Sequence, residues 1–243
     1  MALMRTALGA LSRRLSRPEL VSAFYPLARR DEHEALAIRA VLASVLRTDA
    51  SYVDVGTNRG QVLREAMRIA PAGRHLAFEP VPELAAVVER DFPAVECRRL
   101  ALGAQPGEAR FCHFRALDGF SGLRRSPEVS DERGRPEFID VTVSTLDAEL
   151  DGIEPRVVKI DVEGAELDVL RGGRAVLAAS RPVLLLEHVA SAAALYGASS
   201  GEVWDLLRDH GYEIYSVTGD GPAARASFGS SERVVNWLAR PLR

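Results

Sequence analysis

Asp54, Glu79, Lys159, Asp161, Glu187 and His188 carry the chemistry this chain has to offer, and each stands at or near the end of a short apolar run. Tyr52, Val53 and Val55 read as a buried strand with Asp54 and Gly56 at its carboxyl end. Strand alternation puts Lys159 and Asp161 on one face of the run Arg156–Asp161, with Val158 and Ile160 on the other. A charged pair at the end of a buried strand is costly unless it is satisfied or used. In an open α/β sheet that end is also where ligands bind. The run Arg181–His188 is apolar until Glu187 and His188, which should emerge near Asp161. Acid–base work or metal ligation fits such a group.

The turn after the first strand says which ligand. Ser51–Gly60 reads S-Y-V-D-V-G-T-N-R-G and runs into a helical pattern expected from Asn58 or Arg59. Gly56 and Gly60 allow backbone N–H groups and a helix end to approach a ligand, and Asn58 tolerates the turn conformation usually given to glycine. The G-x-G-x-x-G of a dinucleotide site and the G-x-x-x-x-G-K-[ST] of a P-loop are both absent. Asp54 would repel a pyrophosphate and suits the charged amino group of S-adenosylmethionine (SAM). Glu79 closes the next strand, Arg74–Phe78, where an acid can accept from both hydroxyls of a ribose. Pro80 and Pro82 then stop that strand and start the helix Glu83–Asp91.

These motifs taken together resemble the FkbM family of SAM-dependent methyltransferases. The matching stretches are Asp54–Gly60, Phe78–Pro82, Ala101–Gly103, Ser144–Asp147, Val158–Glu166 with Val169–Leu170, and Pro182–Glu187. The chain departs from the family pattern at Thr57, where Ala is common, and at Phe120–Leu123, where a Ser pair often stands. The resemblance implies a Rossmann-like class I methyltransferase fold of the α/β class: a mostly parallel sheet with one antiparallel strand and helices on both faces. It implies a cofactor site made by Asp54, Gly56, Thr57, Asn58, Gly60, Glu79, Pro80, Ala101 and Leu102, the last two lying against the adenine. It also implies O-methylation of a hydroxyl on a sugar, glycolipid or secondary metabolite.

A hydroxyl is a poor nucleophile near neutral pH and needs a general base or a metal. Asp161, Glu187 and His188, with Lys159 beside Asp161, are the catalytic candidates; His188 as base and Mg²⁺ held by Asp161, Glu187 and His188 both stay open. Glu163 falls on one side of a helix expected over Glu163–Gly173, towards the same pocket, and the Gly-rich loop carrying Ser121 is expected on the substrate side. Two other classes remain as alternatives: a nicotinamide-dependent oxidoreductase, and a non-catalytic binding module that keeps the fold.

Elements able to position these residues are visible along the chain of 243 residues, whose length suits one α/β domain with small additions. Residues 1–48 read as an N-terminal helical extension, cap or lid, and 49–243 as the methyltransferase domain. Within the extension, Met4, Leu8, Leu11 and Leu15 recur at helical spacing among many arginines. This basic arm is either a capping helix with a solvated face or a helix resting on an anionic membrane surface or a partner subunit, a second copy included. Its apolar part is too short for a transmembrane helix or secretory signal, which points to the cytoplasm. A formal charge of -3 without a basic stripe argues against nucleic acid as a partner. Cys97 and Cys112 lack C-x-x-C spacing and read as reduced core thiols. Ala109–Phe114 and Phe138–Thr145 alternate as strands, and His113 reads as a strand residue meeting solvent.

Overall fold

The alternation of apolar residues along each short run decides both faces of the sheet in the computed structural model. It describes residues 32–115, 117–125, 129, 135–230 and 234–242; the basic arm lies outside them. Five strands run parallel: β1 (Tyr52–Val55), β2 (His75–Phe78), β3 (Glu96–Arg98), β7 (Val157–Ile160) and β8 (Val183–Glu187). Val53, Val55, Val158, Ile160, Leu184 and Leu186 point to one face, into a core shared with helices α4 (Leu146–Glu149), α5 (Glu166–Arg171), α6 (Arg174–Ala179) and α8 (Ser200–Asp209). Tyr52, Val157, Val183 and Leu185 point to the other, against α1 (residues 32–45), α2 (Gln61–Ile69) and α3 (Pro82–Asp91). Helices therefore cover both faces, as period-two burial on both sides of a strand demands.

Strand order in the main sheet is β3-β2-β1-β7-β8-β10-β9, where β9 is Tyr212–Ser216 and β10 is Asn236–Pro241. β10 is antiparallel to both neighbours and is the one antiparallel strand of the class I pattern. Order reverses at β1, so the loops after β1 and β7 leave the sheet side by side and open a crevice between them.

A second sheet of three strands stands beside it, with β4 (Ala101–Leu102) parallel and β5 (Gly107–His113) antiparallel to β6 (Glu137–Ser144). Both long strands are legible in the sequence, but not as one sheet, and Ala101–Leu102 joins them as a short strand. His113 is buried, not solvent-facing. Cys97 is half-buried and Cys112 buried, and both are free thiols. Between β8 and α8 lies a short helix, α7 (Ala190–Ala194). No helix among the described residues is long and apolar enough to cross a membrane.

Two local expectations are corrected. The helix after β1, α2, starts at Gln61 rather than at Asn58 or Arg59, because Asn58 (φ 52°) and Gly60 (φ 71°) are left-handed. The helix expected from Glu163 starts only at Glu166: Glu163 (φ 54°) and Gly164 (φ 107°) form a left-handed turn before it.

Candidate active site

The crevice between the β1 and β7 loops is a pocket with roughly 700 Å³ of open space. Leu84, Leu100, Ala101, Leu102 and Phe111 give it apolar lining. Gly56, Asn58, Glu79, Ser121, Asp161 and Glu163 give it polar lining. Pro80 lines it as well.

Glu79 is held from two sides. The Asn58 N–H donates to its Oε2 at 2.7 Å and the Val81 N–H to its Oε1 at 3.0 Å. The donor N–H belongs to left-handed Asn58 (φ 52°), so the D-x-G-x-N turn and the acid after β2 are joined by a hydrogen bond. Thr57 lies behind the turn, its hydroxyl donating to the Asp54 carbonyl at 3.0 Å.

The glycines serve the protein's own packing. A Cβ on Gly56 would lie 1.8 Å from the Asp161 carbonyl oxygen, and one on Gly60 would lie 2.4 Å from the Phe92 ring. Gly60 does not line the pocket, so clearing a path for a ligand is a role left to Gly56.

Asp54 is 1% exposed and stands behind the pocket wall. Sheet register pairs it with Lys159, whose Nζ lies 3.7 Å from Asp54 Oδ1 and 2.8 Å from Asp161 Oδ2. The cation expected opposite Asp54 is therefore met within the chain. Burial opposes the Lys159 charge, yet Asp161 and Asp54 outweigh it and hold the ammonium above its ordinary pKa. Burial pushes the Asp54 carboxyl up, with Lys159 opposing.

Glu187 and His188 do not emerge together. The register Ile160↔Leu186 sets Glu187 beside Asp161 on the α1 face. Successive strand residues point oppositely, so His188 falls on the far face. There it is 1% exposed, with Nδ1 3.2 Å from Glu166 Oε2, Nε2 2.8 Å from Ser200 Oγ, and its ring stacked on Phe228. The expectation that His188 meets Asp161 is corrected on that geometry. Among the described residues no group of three or more His, Cys, Asp or Glu side chains is placed to hold a metal, so the Mg²⁺ alternative finds no ligand set there.

The neighbouring Asp161 charge, with burial, pushes Glu187 from an ordinary value of 4.5 up to about 8, Lys159 opposing. The folded protein thus holds this proton more tightly than the unfolded chain. The stability it contributes is complete below pH 4.5 and is lost as pH rises through about 8. Urea unfolding at about pH 6 and about pH 9 should show the decline, and Glu187→Gln should shrink it. An undiminished slope in the variant would contradict the assignment.

Several lining residues escaped sequence reading. Leu84 and Phe111 lie on a helix and a strand read from local pattern, which signals burial without saying which neighbours share it. The loop expected on the substrate side does reach the pocket through Gly119, Ser121 and Leu123. Ser121 is tied down there by the Phe114 N–H, which donates to its Oγ at 2.9 Å.

Known proteins fit this geometry. The family model for the methyltransferase FkbM domain matches residues 54–214. AmbE, an AMB antimetabolite synthetase of Pseudomonas aeruginosa, is 30% identical over 208 residues, covering 70% of this chain and 10% of AmbE. Methyltransferase sdnD of Sordaria araneosa is 30% identical over 52% of this chain and 61% of its own. The 2-O-methyltransferase NoeI of Sinorhizobium fredii is 27% identical over 59% of this chain and 65% of its own. The chain thus spans less than two thirds of each of these relatives. The matched segment runs from the end of β1 through Glu79, β7 and β8 and is a methyltransferase model rather than that of a nicotinamide enzyme: the chain belongs to the FkbM family of methyltransferases.

Proposed function

We propose that this protein is a SAM-dependent O-methyltransferase acting on a hydroxyl of a sugar, glycolipid or secondary metabolite. The observation that carries the reading is Glu79, a carboxylate clamped by two peptide N–H groups in a pocket that also has apolar lining. A carboxylate in that position suits the vicinal hydroxyls of a ribose, and the apolar lining of Leu84, Leu102 and Phe111 suits an adenine. SAM, when bound, supplies an electrophilic methyl group on a sulfonium.

The chain's own residues do the rest. Glu79, Gly56, Asn58, Pro80, Ala101 and Leu102 hold the cofactor, while Asp54, Thr57 and Gly60 shape the turn from behind. Asp161, oriented by Lys159, lines the pocket, and Glu187 stands beside it. We assign the acceptor proton to this carboxylate pair. Raising Glu187 to about 8 makes it a stronger base than an ordinary carboxylate, matched to accepting the proton as the methyl is transferred. Ser121 and Glu163 form the acceptor end. NoeI is named as a 2-O-methyltransferase, which supports oxygen as the acceptor atom.

Calorimetric titration with SAM and S-adenosylhomocysteine (SAH), followed by an acceptor panel of hydroxylated sugars and metabolites, tests the proposal. Glu79→Ala is expected to weaken SAM binding by about 100-fold, the loss of two hydrogen bonds to a charged group at ~1.5 kcal/mol each. Wild-type protein that folds but binds neither ligand would remove the reading. Binding without turnover on any acceptor would instead favour a non-catalytic module.

A further inference from the structure

The loop after β5 lines the pocket with Gly119, Ser121 and Leu123, and it is fastened from two sides. On the β5 side, the Cys112 N–H donates to the Gly122 carbonyl at 2.8 Å and the Gly122 N–H donates back at 3.1 Å. The Phe114 N–H holds Ser121 beside them. On the opposite side the Arg124 N–H donates to Tyr196 Oη at 3.1 Å. None of the steps above uses Tyr196.

Tyr196 follows α7, where its own N–H donates to the Ala193 carbonyl at 3.0 Å, and its ring stands between two glycines. A Cβ on Gly164 would lie 2.4 Å from the Ala192 carbonyl oxygen and 3.0 Å from Cε2 of the Tyr196 ring. One on Gly122 would lie 3.0 Å from Tyr196 Oη. Gly164 is also left-handed at φ 107°, but Gly122 is not, so no backbone conformation demands glycine at position 122. What its missing side chain provides is room for the Tyr196 hydroxyl. Burial holds that phenol above its ordinary pKa, so it stays a neutral hydroxyl near neutral pH.

We propose that Tyr196 is a positioning residue that pins the acceptor-side wall, Ser121 and Leu123 with it, to the turn between β7 and α5, and so sets how tightly the acceptor is held. The proposal rests on the reading that this pocket methylates a hydroxyl acceptor. A wall already in place spares the acceptor the cost of ordering it. Glu79 and the apolar lining of Leu84, Leu102 and Phe111 grip the cofactor without Tyr196, so acceptor affinity and cofactor affinity are separable.

Amide hydrogen exchange followed by NMR on the full chain tests the pin directly. Tyr196→Phe keeps the ring and removes the hydroxyl, so the Arg124 amide should exchange about fivefold faster. Gly122→Ala presses a methyl group on Oη and should speed the same amide about threefold. In the Tyr196→Phe background that methyl has no oxygen to meet, and it should add nothing. Tyr212→Phe, which removes a buried hydroxyl without a hydrogen-bond partner among the described residues, should leave the loop as it is. Tyr196→Phe should bind SAH within about twofold of the wild type, and on a hydroxylated acceptor from the panel should raise the acceptor KM about tenfold with the KM for SAM unmoved. An Arg124 amide unchanged in Tyr196→Phe, a Gly122→Ala effect equal in both backgrounds, or two KM values that rise together overturns the proposal. Wild-type protein that binds neither SAM nor SAH fails the cofactor reading instead, and exchange at Arg124 still decides the pin.

Discussion

Lys159→Met is expected to destabilise the protein by about 3–5 kcal/mol, the cost of leaving a buried charge without its partner. Lys159 sits between two carboxylates, 2.8 Å from Asp161 and 3.7 Å from Asp54, and its side chain is 9% exposed. Methionine fills similar volume, so packing survives while the cation is lost. Asp54, 2% exposed in its side chain, would then be a buried anion facing another acid. The sign of the pH response follows. Asp54 already has its folded-state pKa raised by burial, and removing Lys159 raises it further. Stability from such a group is present below its unfolded value and lost as pH rises, so the variant should recover in acid and fail at neutral pH. Adding Asp54→Asn should restore much of the loss by removing the orphaned charge. Urea unfolding followed by circular dichroism reads all three proteins, and a cost under about 1 kcal/mol for Lys159→Met would show the pair to be a surface-like ion pair.

Gly56→Ala should be almost as damaging, by about 2–4 kcal/mol, combining left-handed strain with forced displacement of packed backbone. Its φ is 78°, and the added Cβ would overlap the Asp161 carbonyl oxygen at 1.8 Å. That oxygen belongs to backbone, so relief requires the loops after β1 and β7 to part. Because those loops carry both walls of the pocket, SAM binding should be lost with the stability. Gly152→Ala separates the two causes, since Gly152 also has positive φ, 72°, but nothing within 4 Å of the new Cβ. It should cost about 1 kcal/mol and leave binding intact. Equal losses at both positions would mean that strain alone accounts for Gly56.

Much of the cofactor side was legible because it is local. The turn Gly56–Gly60 and the acid Glu79 are read from neighbours a few residues away, and Lys159 with Asp161 follows from strand alternation. What failed to appear depends on partners far along the chain. Asp54 faces Lys159 because β7 crosses over to pair with β1, a register no local pattern reveals. Glu163 sits in a run whose acids and leucines fit a helix, and only the contact of Gly164 with Ala192 keeps the first residues out of it. Strand alternation itself excludes Glu187 and His188 from sharing a face, so that separation was available from sequence. Asn236–Pro241 is a strand paired on both sides, with β8 and β9, and its residues alone do not announce this.

That placement divides the sheet. β1, β2, β3 and β7 pair among themselves without any residue beyond 160, and with them go the loops of Glu79 and Asp161. β9 does not pair with β8 and joins the sheet through β10, which lies between them. The same strand brings Asn236 opposite Glu187 and lets its amide donate to Glu34 of α1 at 2.7 Å. β10 thus carries β9 on one side and ties α1 to the strand of Glu187 on the other, so damage to it would loosen both the sheet edge and the surroundings of that carboxylate.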